Sequence, residues 1–306
     1  MSQLSNPSKL KMDHKIRLIL GCGYVGERIA SLWRRSGDRV VAVTRSLERA
    51  EELEKLGVEP LVWDWLLPTE SQSAIQDTLA ALSPQTVLVA VSHAAPGHPK
   101  GLANLAQVFG ARSPGLGRWI YLSTTGVFAD PPEGSELWVD ESSSVAPTRP
   151  GSINALEAEL WLEGSSIEHV VLRPAGIYGP GRIPNVQPIR EGQAMQVDPE
   201  SYLNLIHVDD LAQVIATVSD RPLCNRLYCV SDGNSVPRKD YYAFIAQRMH
   251  LPEPKYCENS PSTNSRRRNQ GNKRVRNQRL VSDHAIRFEF PDYQIGLSSL
   301  LSELSQ

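Results

Sequence analysis

Ile16 to Leu20 alternates apolar with mixed character and is short enough and β-branched enough to be a buried strand. Val25, Ile29, Leu32 and Trp33 then fall on one face of a helix predicted from about Tyr24 to Ser36, which Gly37 ends. Val40 to Val43 returns to strand. LERAEELEKLG reads as a second helix stopped by Gly57, and VEPLVWDW as a third strand with Asp64 just past its end. A further helical stretch runs to Leu82. Gln85–Val91 contains TVLVAV, apolar on both faces, as a central parallel strand must be. The loop SHAAPGHP leads to a helix over Leu102–Phe109 and a strand over Arg118–Ser123.

The second half is less regular. Ala129 to Pro150 is a loop rich in proline and acidic residues, followed by a helix around Ile153–Leu162, a strand over Glu168–Arg173 and the loop PAGIYGPGR. From Pro184 the period is lost. NLIHVDDLAQVIATV predicts a short strand and a helix, with Asp209 or Asp210 as cap and dipole partner. Leu227–Val230 is a strand, Arg238–Met249 an amphipathic helix preceded by Pro237, and two short helices close the chain. Strand and helix alternating at about 20 to 30 residues per unit predict an α/β fold, a doubly wound parallel sheet of the Rossmann kind, with a small irregular lobe beside it.

A chain of 306 residues can hold one large α/β domain and such a lobe. Its net charge of −2 provides no basic field toward nucleic acid or a membrane surface. Cys22, Cys224, Cys229 and Cys257 lack metal-ligand spacing and read as reduced thiols. The first fourteen residues carry no signal-peptide core, and no run is long enough to span a bilayer. The expectation is a cytoplasmic protein with a small-molecule substrate as partner, and with neither nucleic acid nor membrane.

Candidate chemistry begins in GCGYVG, between the first strand and the first helix. Gly21 permits the tight turn, Gly23 lets backbone N–H groups approach a pyrophosphate, and Gly26 lets the helix lie close on the strand. Gly21, Gly23, Tyr24, Val25 and Gly26 are therefore the expected cofactor-binding turn. At the end of the second strand, VAVTRS has no carboxylate to accept from a ribose 2′-OH. Arg45 can instead pair with a 2′-phosphate, with Arg49 as the weaker second candidate. NADP is thus the preferred cofactor, with NAD also compatible; the bland alternative makes Arg45 a solvated surface residue.

These landmarks resemble the extended short-chain dehydrogenase/reductase superfamily, the group of nucleotide-sugar epimerases, dehydratases and related reductases. The resemblance is carried by GCGYVG, YLSTTGVFAD, LRPAGIYGPGR, NLIHVDDLA and LYCVSDGNSVPRKDYY, and covers nearly everything beyond Lys15. It implies that Asp64 contacts adenine, although a strand-end aspartate also serves as a helix cap. It implies a Tyr-x-x-x-Lys pair on the helix after Thr124. The segment PGSINALEAELW puts Gly151 and Ala155 at those positions, and no tyrosine in the chain is followed four residues later by lysine. The chain looks like an atypical member.

Thr124 falls on the family's catalytic Ser/Thr position. Its hydroxyl can bond a substrate oxygen or merely satisfy backbone groups at a strand end. Tyr178 is a candidate replacement acid or a packed tyrosine. His93, just past the fourth strand, can titrate near neutrality or serve as a loop residue. Arg266, Arg267, Arg268, Lys273, Arg274, Arg276 and Arg279 form a basic run without interleaved aromatics, read as a solvated loop.

The expected organisation is a disordered tail over 1–14, a dinucleotide-binding Rossmann domain over 15–183 and 204–232, and a substrate lobe over 184–203 and 233–306. The expected function is an NAD(P)-binding oxidoreductase or epimerase-like protein acting on a sugar nucleotide or small carbonyl compound. The alternative is a non-catalytic dinucleotide-binding redox sensor or assembly partner.

Overall fold

A computed structural model of the chain describes residues 14–65, 73–93, 117–131, 136–221, 226–257 and 272–304, together with 101, 102 and 105. The tail over 1–13, most of the stretch predicted as the Leu102–Phe109 helix, Cys224 and Arg266–Arg268 lie outside the described residues. The central sheet has seven parallel strands: β1 (Ile16–Leu20), β2 (Arg39–Thr44), β3 (Glu59–Val62), β4 (Thr86–Val89), β5 (Arg118–Leu122), β6 (His169–Pro174) and β7 (Arg226–Val230). Their order is β7-β6-β5-β4-β1-β2-β3, the doubly wound arrangement.

Alternation along β1 shows how the two faces are filled. Ile19 points into a core shared with Ile29 and Trp33 of α1 (Gly26–Arg35), Leu53 of α2 (Leu47–Lys55) and Leu211 and Ile215 of α5 (Val208–Asp220). Leu18 and Leu20 point the other way, toward Leu79 of α3 (Ser73–Leu82) and Ala158 and Leu162 of α4 (Pro150–Glu163). Helix α1 starts later than predicted, with Val25 as its cap, and buries Ala30 more deeply than Leu32.

The cap of α5 departs from the sequence reading. His207, and neither aspartate, caps the helix, its Nδ1 accepting from Asp209 N at 3.3 Å. Asp210 is buried and accepts the N–H groups of Glu289 (2.8 Å) and Phe290 (2.9 Å), which ties the C-terminal segment to the Rossmann helices. Two consecutive aspartates just after a histidine give no local sign of which polar group will turn inward.

The lobe is built on α6 (Arg238–Arg248), α7 (Gln278–His284) and α8 (Tyr293–Leu304). Its core contains Tyr241, Tyr242, Ile245, Leu297 and Leu301, and also Tyr178 and Leu205 from the stretches assigned to the Rossmann domain. Leu280 of α7 crosses the other way and packs with the sheet core. Two short parallel pairs lie outside the central sheet, Gly176–Tyr178 with Leu205–His207, and Leu137–Val139 with Lys273–Val275, of which the second joins the Rossmann stretch to the lobe. Both use segments read from the sequence as loops.

The second pair corrects the reading of the basic run. Its described part is not a solvated loop. Arg274 lies over Trp138 (4.2 Å) and Tyr202 (4.4 Å) and pairs with Glu136, Arg276 lies over Trp138 (4.9 Å), and Arg279 pairs with Glu141. The aromatics absent from the run come from elsewhere in the chain. No helix of the described residues is long and apolar enough to cross a membrane.

Where β7 meets the lobe, Asp232 is buried. Its Oδ1 accepts from Asn234 N at 2.8 Å, while Oδ2 has no hydrogen-bond partner among the described residues. Burial, helped by Asp292 and Asp210, pushes its carboxyl from 3.8 up to about 8. Between these values the folded chain holds a proton that the unfolded chain has released, so stability falls as pH rises through that window. Asp232→Asn keeps the neutral shape and removes the titration. Its melting temperature should gain on the wild type by roughly several degrees as pH is raised from 3.8 to about 8. A gap between the two melting curves that stays constant with pH would contradict this.

Candidate dinucleotide site and adjoining cleft

The three glycines of the turn have three different reasons for lacking a side chain. Gly21 has φ +89°, and a Cβ there would stand 2.6 Å from Ala90 O and 2.8 Å from Val91 Cγ1 at the end of β4. At Gly26 a Cβ would stand 2.7 Å from Gly21 O, so a side chain would push α1 off the turn. At Gly23 it would meet nothing within 4 Å. The turn is thus crowded on the sheet side and open on the other. That open space is what a pyrophosphate needs, and it lies where α1 begins, with its N–H groups favouring an anion.

A cavity of about 320 Å³ continues from this opening. Gly21, Cys22 and Gly23 form one wall, Thr44 and Arg45 at the end of β2 another, and Ala90, Val91 and Ser92 after β4 a third. Trp63 and Trp65, almost fully buried in the core, also line it. The half-buried Asp64 between them does not line it. Tyr24, Val25 and Gly26 also stand outside the lining. Val25 packs on the core, and Tyr24 turns away beneath Arg28 (4.2 Å) and Arg182 (5.6 Å).

The two arginines near β2 behave differently. Arg49 also lines the cavity, but it donates to Cys22 O at 2.6 Å and pairs with Glu27 and Glu52, so it braces the turn. Arg45 is exposed, lines the cavity and makes no ion pair among the described residues. Cys22 is buried in the turn, and burial pushes its thiol up to about 12, which makes it inert near neutral pH.

A second cavity, of about 290 Å³, opens beyond the carboxyl ends of β5 and β6. Thr124, Gly126, Gly176, Asn204, Arg238 and Lys273 are on its wall. Thr124 Oγ1 accepts from Gly126 N at 3.0 Å. Behind it, Ser123 donates to the buried Glu159, which also pairs with Arg173 at 2.5 Å. Lys273 reaches in from the lobe and pairs with Asp130 at 2.8 Å.

Tyr178 is not in this cavity. It is fully buried against the lobe, edge-on to His207 at 5.1 Å, with its hydroxyl packed against Gly296 and 3.4 Å from Asp292 O. Burial and the nearby carboxylates push its phenol further above the ordinary range. A cleft acid is therefore the wrong reading for Tyr178. His93 is likewise tied down, its Nε2 bonded to Leu122 O at 2.6 Å and its pKa lowered by burial. Ala155 is fully buried and Gly151 half-buried, so neither position of the missing pair offers a functional group.

A sequence model of proteins described as NAD(P)H-binding matches residues 21–222, more than half of the chain. The chain belongs to this NAD(P)H-binding family. A solved structure from Methylobacillus flagellatus, named for the NAD-dependent epimerase/dehydratase class, is 27% identical with a TM-score of 0.75. It covers 95% of this chain and 99% of that one. Protein YeeZ of Escherichia coli K12 is 25% identical over 282 residues, 90% of this chain and 96% of its own. A 4-hydroxy-2-methyl-3-oxo-4-farnesyl-3,4-dihydroquinoline-1-oxide ketoreductase of Stigmatella aurantiaca is 25% identical over 247 residues, 76% of this chain and 72% of its own. The likeness to the extended short-chain dehydrogenase/reductase group therefore holds for fold and cofactor class. This NAD(P)H-binding chain stands in the group without the usual Tyr-x-x-x-Lys pair.

Sequence reasoning missed Arg238 and the role of Lys273. Trp63 and Trp65 flank Asp64 in VWDW, and it is the two tryptophans that line the cavity. The glycine geometry yields a paired test. Gly23→Asp should fold normally, because its side chain enters open space, and should lose NADPH binding in calorimetric titration. Gly21→Ala should instead lower the melting temperature, through the positive φ and the clash with Ala90. Unchanged NADPH affinity in a folded Gly23→Asp variant would place the cofactor elsewhere.

Proposed function

We propose that the chain is an NADP(H)-preferring oxidoreductase of the extended short-chain type, with NAD accepted more weakly, acting on a small carbonyl compound or sugar nucleotide. Gly21 and Gly23 would hold the pyrophosphate, Trp63 and Trp65 the adenine, and Arg45 the 2′-phosphate. The bound nicotinamide supplies or accepts the hydride. The observation that carries the reading is the hydrogen bond at Thr124. Its oxygen is occupied by Gly126 N–H, so its own proton is free to donate into the second cavity. One hydroxyl therefore both satisfies the backbone and offers a donor to a substrate oxygen, and the two readings of Thr124 do not exclude each other.

Thr124 orients a substrate oxygen; it does not replace a tyrosine as a proton reservoir. Without a positioned acid, turnover should be lower by roughly 10²- to 10⁴-fold than in an enzyme that keeps one. The ketoreductase relative supports carbonyl chemistry for this class of chain. The second reading, a non-catalytic cofactor sensor, is favoured by Ala155 and Gly151, where chemistry has given way to packing.

Two measurements test the proposal. Arg45→Ala should weaken NADPH by about ten- to a hundredfold and leave NADH nearly unchanged, since only the former carries a 2′-phosphate. Equal weakening of both would make Arg45 structural. In single-turnover oxidation of NADPH by a panel of carbonyl compounds, Thr124→Val should slow the reaction by at least about tenfold with cofactor affinity unaltered. Absence of turnover with every compound would favour the sensor.

A further inference from the structure

Arg238 begins α6 and is buried, at 7% exposure, on the wall of the second cavity. Its Nε donates to Ser201 Oγ at 2.9 Å and its Nη1 to Tyr242 OH at 3.3 Å. Both acceptors are neutral hydroxyls. Ser201 is itself held by its bond to Asp198 O (2.7 Å), and Tyr242 OH also accepts from Asn185 Nδ2 (2.9 Å). The guanidinium is thus fixed in place by two hydrogen bonds, yet it makes no ion pair among the described residues. A buried cation without a counter-ion is unfavourable, and such groups in folded proteins are ordinarily paired.

The other charges on the wall do not supply the missing anion. Asp130, the carboxylate on the lining, is engaged by Lys273 at 2.8 Å, and Lys273 also donates to Phe128 O at 3.0 Å. The cavity therefore presents more cations than carboxylates, and its buried cation retains guanidinium N–H donors beyond the two committed to hydroxyls.

We infer that Arg238 is the seat of an oxyanion, a carboxylate or phosphate group carried by the molecule that enters the cavity beside Thr124. The inference rests on reading this cavity as the substrate cleft and names the substrate class: an acidic compound whose charged end is held at α6 while its reacting oxygen reaches Thr124. A planar guanidinium with fixed orientation suits two-point bonding to such a group. Arg238 is then a specificity residue, remote from the hydride.

The test is calorimetric titration of the full chain, saturated with NADP⁺, with inorganic phosphate and separately with malonate. Saturation fills the phosphate seats of the dinucleotide site. Should NADP⁺ fail to bind, the cofactor reading falls, and the same titration of the chain alone with both variants still decides the role of Arg238. At least one of the two anions should bind the wild type. Arg238→Gln should weaken it by about tenfold or more, with NADP⁺ affinity unchanged. Arg238→Lys should weaken it less, and serves if the glutamine variant fails to fold. Binding of phosphate alone assigns a phosphorylated substrate, and binding of malonate a carboxylic acid. Failure of both anions to bind the wild type, or equal affinity in the variants, would overturn the inference.

Discussion

The turn from β1 into α1 has no slack on its inner side. β1 lies between β2 and β4, and the chain order reverses there, so the loops leaving β1 and β4 diverge and open a crevice. The same topology presses Gly21 against the backbone of Ala90 and draws Gly26 onto Gly21 O. Once those contacts are made, α1 can start in only one place, and Gly23 is left facing open space. The walls of the dinucleotide cavity then follow from the strand ends on either side, Thr44 and Arg45 from β2, Ala90 to Ser92 from β4.

A second constraint places Thr124. Ser123 at the end of β5, Arg173 on β6 and Glu159 on α4 form one buried cluster, with all three residues below 9% exposed. Leaving any one charge of such a cluster unpaired is strongly unfavourable, so strand ends and helix are held in register. Glu159 is one helical turn beyond Ala155. The inner face of α4 is thus given to packing and to this ionic tie, and the Thr124 hydroxyl lies at the cleft on the loop after β5. The dinucleotide end of the molecule keeps the geometry of its class, while the adjoining cavity is lined by Thr124 and by Arg238 and Lys273 from the lobe.

The parallel sheet was legible because buried strands are apolar on both faces and glycine spacing is fixed by close approach. TVLVAV and GCGYVG carry that information in consecutive residues. Contacts made across long stretches of chain leave no such trace. The basic run looked solvated because nothing in it says that Trp138 and Tyr202 will stack on Arg274, and Lys273–Val275 pairs with a strand more than a hundred residues earlier. For the same reason the sequence leaves open whether Tyr178 is a cleft acid or a packed tyrosine, and the structure shows it packed. Its position after β6 was placed correctly in the chain, but burial against Gly296 depends on where α8 docks. Arg238 sits in an amphipathic helix where an arginine is ordinarily solvated, and only the tertiary structure shows it buried with no ion pair among the described residues.

The most direct test of the whole account is a crystal structure of the chain with NADP⁺ bound. The account predicts the pyrophosphate over Gly23, adenine at Trp63 and Trp65, the 2′-phosphate at Arg45 and the nicotinamide ring at the mouth of the cavity that holds Thr124. A nucleotide bound outside the glycine-turn cavity, or a nicotinamide turned away from Thr124, would contradict it.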